Sequence, residues 1–69
     1  MMETKHVYTE AISTQDQIDE LKHILSHMIG VSEVEINGKK GDITITFETP
    51  ANLNAIEKEI YDAGYTILY

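Results

Sequence analysis

The strongest constraint on the fold is a pair of segments in which apolar and polar residues alternate. In the first, Val34 and Ile36 are separated by a glutamate, and in the second, residues 43–47, isoleucines and a phenylalanine alternate with threonines. Successive side chains of a β-strand point to opposite faces, so this pattern indicates two strands with one buried face each. Residues 37–41, Asn-Gly-Lys-Lys-Gly, favour a turn, and the two strands are therefore predicted to form a hairpin.

A helix is predicted on each side of this hairpin, because apolar residues recur there at intervals of three or four. The first helix begins after Thr14, whose hydroxyl forms a capping box with the amide of Gln17, and Gly30 is expected to end it. The second helix begins after Asn52 and ends at Gly64. The apolar positions of the two buried faces are Ile18, Leu21, Leu25 and Met28, then Leu53, Ile56, Ile60 and Ala63.

Shorter alternating segments near both ends of the chain predict two further strands. Residues 5–11 form the first, with Thr9 as a polar residue at an inward position, and residues 65–69 form the last. The order βαββαβ is that of the ferredoxin-like sandwich. We therefore expect an α+β fold in which residues 1–69 form a single domain, with a four-stranded antiparallel sheet and two helices on one face of it. The opposite face of the sheet is expected to be solvated.

The charge balance excludes several classes of partner. Twelve acidic residues are set against five lysines and no arginine, which gives a net charge of −7. Nucleic acids and anionic membranes both require a basic surface, so neither is an expected partner. The sequence shows neither an export signal nor an apolar span, and we expect a cytoplasmic protein without membrane insertion. Glu33, Glu35 and Glu48 on the open sheet face either receive a basic partner or keep the sheet soluble.

Three short signatures point to a family. They are Gly30-Val31 before the first hairpin strand, Gly41 before the second, and Gly64-Tyr65 after the second helix. With the alternating strands between them, they resemble the C-terminal two-thirds of a heavy-metal-associated domain, the module of bacterial copper chaperones and of metal-pumping ATPase tails. The resemblance implies the same ferredoxin-like fold. It also implies a metal loop, G-M-x-C-x-x-C, in which two cysteines hold Cu(I) or another soft metal before the first helix.

The chain has no cysteine, so this loop has lost its ligands. Counted back without gaps, residues 11–17 lie over the family's loop: Ala11 replaces the glycine, Ile12 the methionine, and Thr14 and Gln17 the two cysteines. Cu(I) prefers thiolate, and a neutral hydroxyl or amide oxygen does not compete for it. We therefore expect no Cu(I) site here; the one cofactor left open is a divalent metal elsewhere on the chain, and the loop is interpreted as a helix cap. Tyr65 matches a tyrosine that bacterial members place beside the loop.

The resemblance also implies a docking surface, because the first loop and first helix of these domains meet the partner protein. The leading hypothesis is a docking or accessory module related to metal homeostasis, whose partner is a protein such as a metal-transport ATPase or a related domain. Acidic residues near a helix N-terminus also suit the helix dipole, so their charge alone does not require a partner. The corresponding positions are Ser13, Thr14, Gln15, Asp16, Gln17, Glu20, His23 and His27, with Tyr65 beside them.

A second hypothesis is a divalent-metal binder or carrier that uses His23 and His27. These histidines are one helical turn apart and share an exposed face, which is a two-ligand start for Zn²⁺, Ni²⁺ or Cu²⁺. Glu20, three residues before His23, would add a carboxylate. The alternative interpretation is two surface histidines on a solvated helix.

A third hypothesis, from fold analogy, is a dimeric small-molecule sensor that pairs through edge strands. An enzyme is not expected, because no nucleophile has an evident base and orienting partner in the sequence. The sequence leaves the oligomeric state and the identity of the partner open.

Overall fold

Three strands and two helices are formed by residues 1–68, the part of the chain that the structure, a computed structural model, describes. In chain order these elements are β1 (Glu3–Tyr8), α1 (Gln15–Ser26), β2 (Val31–Asn37), β3 (Asp42–Phe47) and α2 (Leu53–Asp62). The strands form one antiparallel sheet in the order β1-β3-β2. No helix in residues 1–68 is both long enough and apolar enough to cross a membrane.

The predicted alternation in the hairpin is confirmed. On β3, every second residue faces inward, and Ile43 and Ile45 are completely buried while the threonine between them is partly exposed. The register places Ile43 between Val7 of β1 and Ile36 of β2, so the inward side chains of neighbouring strands lie side by side. The core is therefore built on one face of the sheet, as an antiparallel sheet with one covered side requires.

Both helices contribute to that core, and each does so through two completely buried residues. Leu21 and Leu25 belong to α1, and Ile56 and Ile60 belong to α2. Burying the apolar stripe of each helix against the inward side chains of the sheet removes both surfaces from water. The resulting two-layer arrangement is a ferredoxin-like fold. Its buried apolar residues are Val7, Ile12, Leu21, Leu25, Val34, Ile43, Ile45, Phe47, Ala51, Ile56 and Ile60.

The prediction of a fourth strand is wrong. Within residues 1–68, the sheet has three strands rather than four. After α2, one residue, Ile67, forms an isolated antiparallel bridge with Thr9. The Leu68 N–H donates to the Tyr8 carbonyl at 2.7 Å, and the Glu10 N–H donates to the Thr66 carbonyl at 3.3 Å. The chain returns beside the very end of β1, so too few consecutive pairs form for a ladder. Position 69 of the predicted strand lies outside the described residues.

The first strand also differs from its prediction, since β1 covers Glu3–Tyr8 rather than residues 5–11. Thr9 is buried as expected, with 2% of its surface exposed. Its hydroxyl lies 2.9 Å from the Glu10 carbonyl oxygen and 3.4 Å from that of Gly41, and its N–H donates to Gly41 at 2.7 Å. This buried polar group is therefore hydrogen-bonded, which removes most of the cost of burying it.

The two helices end in different ways. The first helix stops at Ser26, four residues before Gly30, which instead adopts a positive φ of 97° in the turn that leads into β2. At the end of α2, Gly64 has a positive φ of 100° and its N–H donates to the Tyr61 carbonyl at 3.0 Å. The Tyr65 N–H donates to the Ile60 carbonyl at 3.3 Å, which completes a Schellman motif. This motif fixes the direction in which Tyr65 leaves the helix.

Candidate functional site

The loop over the family's metal motif is the N-terminal cap of α1. Thr14 has extended backbone angles, and its hydroxyl oxygen accepts a hydrogen bond from the Gln17 N–H at 3.2 Å. Of the two bonds of the predicted capping box, only this one forms within residues 1–68, and it satisfies one of the free N–H groups at the helix start. Asp16 lies in the first helical turn, where a negative charge interacts favourably with the helix dipole.

The loop before α1 is also held by a contact with the β2–β3 turn. Ile12, in the position of the family's methionine, is buried with 5% of its surface exposed, and its N–H donates to the Gly38 carbonyl at 2.9 Å. A Cβ added at Gly38 would lie 2.7 Å from both the Ile12 carbonyl oxygen and the Ile18 side chain. A glycine is therefore needed for the turn to approach the loop this closely.

Tyr65 closes the other side of the loop. Its hydroxyl donates to the Gln17 carbonyl oxygen at 3.3 Å, which joins the end of α2 to the start of α1. Burial, and secondarily the negative charge of Glu20, raises the pKa of the Tyr65 hydroxyl above its ordinary value. The proton that Tyr65 donates to Gln17 is therefore held more tightly than that of an ordinary tyrosine. The structure thus places Tyr65 beside the loop.

The donor atoms of this loop do not fit the metal that the family implies. Thr14 and Gln17 offer neutral hydroxyl and amide oxygens, and the Thr14 oxygen already accepts the Gln17 N–H. Cu(I) and similar soft ions prefer sulfur ligands, and the chain has no cysteine. These residues do what helix-capping residues do, and no metal chemistry can be derived from them.

The predicted docking positions lie together at one end of α1. Ser13, Thr14, Gln15, Asp16, Gln17 and Glu20 are all exposed. Gln15 donates its side-chain amide to the Asp19 carboxylate at 2.9 Å, so one helical turn of this surface is internally hydrogen-bonded. The result is a polar, acidic surface of loop and helix, with half-buried Tyr65 at its edge.

The two helix histidines are in contact with each other. His23 and His27 are exposed, and their ring centroids are 4.1 Å apart with the ring planes inclined at 48°. The His27 Nδ1 lies 2.8 Å from the His23 carbonyl oxygen. Glu20 does not join them as a third ligand, because residues 1–68 contain no group of three His, Cys, Asp or Glu side chains that could hold a metal.

The open sheet face carries a polar cluster that the sequence patterns did not predict. The His6 Nδ1 lies 3.1 Å from both the Asp42 carboxylate and the Thr44 hydroxyl, and the His6 ring stacks on Tyr8 with centroids 6.2 Å apart. The register of β1 against β3 brings these residues together, because it pairs His6 with Thr44 and Tyr8 with Asp42. The hairpin pattern predicts that β2 and β3 pair, but only the tertiary register of β1 identifies this cluster.

The three glutamates of the predicted acidic patch on the open sheet face differ in exposure and in neighbours. Glu33 and Glu35 are exposed on β2. Glu48 is only half-exposed, and its carboxylate lies 3.9 Å from the amino group of Met1. No pocket is found within residues 1–68.

Comparison with known proteins agrees with this geometry. The model of the heavy-metal-associated domain matches residues 10–66. A solved structure described as the CsoZ metallochaperone is 49% identical, with a TM-score of 0.95 and full coverage of both chains. The CopZ metallochaperone, 16% identical over 96% of this chain and 100% of its own, has a TM-score of 0.90 and shows the shared fold.

A curated relative is similar over most of its length. The COP-associated protein of Helicobacter felis is 29% identical over 58 residues, which cover 84% of this chain and 88% of that protein. The family match spans the capped loop, both helices and all of β2 and β3. This chain therefore belongs to the heavy-metal-associated domain family, as a member without the cysteine pair of its metal loop.

Proposed function

We propose that this chain is a metallochaperone-like module of metal homeostasis that docks to a protein partner through the N-terminal end of α1, without carrying metal in the loop there. The observation that carries the proposal is the loop itself. It is held by three hydrogen bonds, from Ile12 to Gly38, from Gln17 to Thr14 and from Tyr65 to Gln17, although it has no metal-binding sulfur to position. An exposed, well-anchored surface suits contact with another protein.

The comparisons support the metal-homeostasis part of this proposal. A relative that is 49% identical and is covered over the whole of both chains is described as a metallochaperone. A loss of the loop cysteines removes the cargo site and leaves the contact surface. A chain that keeps the contact surface but has lost the cargo site can still bind the same partners, and this supports an accessory role.

The charge of the surface favours a basic partner. Asp16 and Glu20 are exposed one helical turn apart, and the chain as a whole has a net charge of −7 and no arginine. Complementary charges steer association and orient the two proteins at contact. We infer that the partner is a metal-transport ATPase or a related domain that presents lysines or arginines to α1. This role includes no chemical step.

The test is a titration of the ¹⁵N-labelled chain with the soluble metal-binding domain of the copper-transport ATPase from the same organism, followed by NMR. We expect chemical-shift changes at residues 13–17, at Glu20 and at Tyr65. A Glu20→Lys variant should bind about tenfold more weakly, because the lysine would repel the basic surface of the partner at the edge of the interface.

The matched control is Glu33→Lys, which makes the same charge reversal on the exposed outer face of β2. It should bind like the unaltered chain. If Glu33→Lys weakens binding and Glu20→Lys does not, the sheet face is the docking surface and the proposal fails. Absence of shift changes at residues 13–17 with saturating partner would also reject it.

A further inference from the structure

We propose that His23 and His27 form a two-nitrogen chelating site for a divalent transition-metal ion, with Cu²⁺ as the best-fitting ion, on the exposed face of α1. The site is separate from the capped loop and goes beyond the docking role proposed above. The segment His-Ile-Leu-Ser-His places the two rings four residues apart, the spacing of paired histidine ligands on one helical face. Leu21 and Leu25 anchor the opposite face of the helix in the core.

The rings are already close enough to share one ion. Their centroids are 4.1 Å apart, and the inclination of 48° between the planes keeps them from stacking face to face. An ion bound by two imidazoles lies about 2.0–2.1 Å from one nitrogen of each ring, as in zinc sites, so the rings must be neighbours before it arrives. His23 lies in the last turn of α1, and His27 is the C-cap residue, whose N–H donates to the His23 carbonyl, so the backbone holds both residues in place and little conformational freedom is lost when they bind.

Hydrogen bonding fixes which nitrogen of His27 is available. Its Nδ1 is 2.8 Å from the His23 carbonyl oxygen, which can only accept, so the Nδ1 carries the proton. In the neutral ring the Nε2 then holds the free lone pair and points away from the helix backbone. Metal-binding histidines commonly donate their second N–H to a backbone carbonyl in this way. Within residues 1–68, no hydrogen bond engages the ring of His23.

The surrounding charge favours a cation. Asp19 lies four residues before His23 and Glu20 lies three before it, so both carboxylates share this side of the helix. A net charge of −7 adds a general attraction for cations. Since no third ligand of residues 1–68 completes the set, the remaining coordination positions belong to water or to a ligand from outside the chain.

The donor set selects the ion. Imidazole nitrogens suit Ni²⁺, Cu²⁺ and Zn²⁺, and the affinity of a given nitrogen site rises from Ni²⁺ to a maximum at Cu²⁺ and falls again at Zn²⁺. We therefore expect Cu²⁺ to bind more tightly than Ni²⁺ or Zn²⁺. This order distinguishes the site from the family's cysteine pair, which prefers soft ions such as Cu(I).

The experiment is a Cu²⁺ titration of the untagged full chain by calorimetry, with electron paramagnetic resonance of the bound ion. The variants are His23→Ala, His27→Ala and the double substitution, and His6→Ala is the matched control because His6 is an exposed histidine on β1. We expect one strongly bound Cu²⁺ with two imidazole nitrogens. Each single variant should lose at least about tenfold in affinity, while His6→Ala stays within about twofold.

Three results would overturn the proposal. The first is equal Cu²⁺ affinity in the unaltered chain and the double variant, and the second is a spectrum with fewer than two imidazole nitrogens. The third is tighter binding of Zn²⁺ than of Cu²⁺, which contradicts the assignment of the ion. Circular dichroism of each variant checks that the fold is retained, and none of these results depends on the docking partner.

Discussion

Thr14 determines where α1 begins through a hydrogen bond to a residue that is close to it in the sequence. Its hydroxyl caps α1 by accepting the Gln17 N–H, a bond that closes within four consecutive residues. The capping position was therefore predictable from the sequence. The hydroxyl bond from Tyr65 to the Gln17 carbonyl joins residues 48 positions apart. No local pattern specifies that bond, and only the family resemblance placed Tyr65 near the loop.

Replacing Thr14 with alanine should destabilise the protein by about 1 kcal/mol, because an N-terminal N–H of α1 loses its acceptor. Thr14→Ser is the matched control, since it keeps the hydroxyl and should stay within about 0.5 kcal/mol of the unaltered chain. Urea unfolding measures both free energies. Equal losses in the two variants would mean that the threonine methyl group, and not the cap, stabilises the helix.

Tyr65 makes stability depend on pH in the alkaline range. Its pKa is raised from 10.0 by burial and by Glu20, so the folded state holds this proton more tightly than the unfolded state does. The resulting stabilisation is complete below pH 10 and is lost as pH rises through the higher folded pKa. We expect the free energy of unfolding to fall more steeply above pH 10 in the unaltered chain than in Tyr65→Phe.

The Tyr65→Phe variant should also be less stable at neutral pH, by about 0.5–1.5 kcal/mol, because the hydrogen bond to Gln17 is removed. The two stability curves are expected to converge at alkaline pH. Parallel curves from pH 7 to pH 11 would contradict the assignment of the titration to this residue.

At the scale of elements, local patterns predicted both helices and the hairpin, and they failed at the end of the chain. Alternation in β3 and helical spacing in α1 each involve many residues and a continuous buried face. Residues 65–69 offer a short pattern, and whether they form a strand depends on how far they run beside β1. Within residues 1–68, the returning chain forms a single bridge, Thr9–Ile67, just beyond the end of β1 at Tyr8.

Two glycines should tolerate alanine to different degrees. Gly41 and Gly64 both have positive φ, of 66° and 100°, so alanine at either is expected to cost about 1–2 kcal/mol of backbone strain. A Cβ at Gly41 would in addition overlap the Thr9 carbonyl oxygen, whereas a Cβ at Gly64 would have no atom of the described residues within 4 Å. Gly41→Ala should therefore unfold at lower temperature than Gly64→Ala. The opposite order would show that the turn at Gly41 can move.

The capped loop should accept its family's ligands when they are put back. A Thr14→Cys, Gln17→Cys double variant places two thiols at the positions that correspond to the family's cysteines, and thiolates favour Cu(I). We expect it to take one Cu(I) from a chromophoric chelator, while the unaltered chain takes none. Gln15→Cys with Gln17→Cys is the control for spacing. Equal Cu(I) uptake by both double variants would argue against the correspondence.

At the scale of the whole molecule, the negative net charge is the feature that we expect to make stability depend on salt. With a net charge of −7, the folded state concentrates negative charges that repel one another, and salt screens this repulsion. The Debye length falls from about 30 Å at 0.01 M salt to about 3 Å at 1 M. We expect the melting temperature to rise with sodium chloride, by roughly 4–8 °C for each kcal/mol of repulsion removed. Glu33→Lys with Glu35→Lys should reduce the slope, and a slope unchanged in that variant would exclude repulsion as its cause.

The central position of β3 has a consequence for synthesis on the ribosome. The register that pairs Glu3 with Phe47 leaves β1 without a neighbour until the third strand has been made. The contacts within α1 are closer in sequence and can form before β3 has been made. A nascent chain arrested before β3 emerges therefore exposes the apolar side of β1, including Val7, to whatever chaperones stand at the tunnel exit.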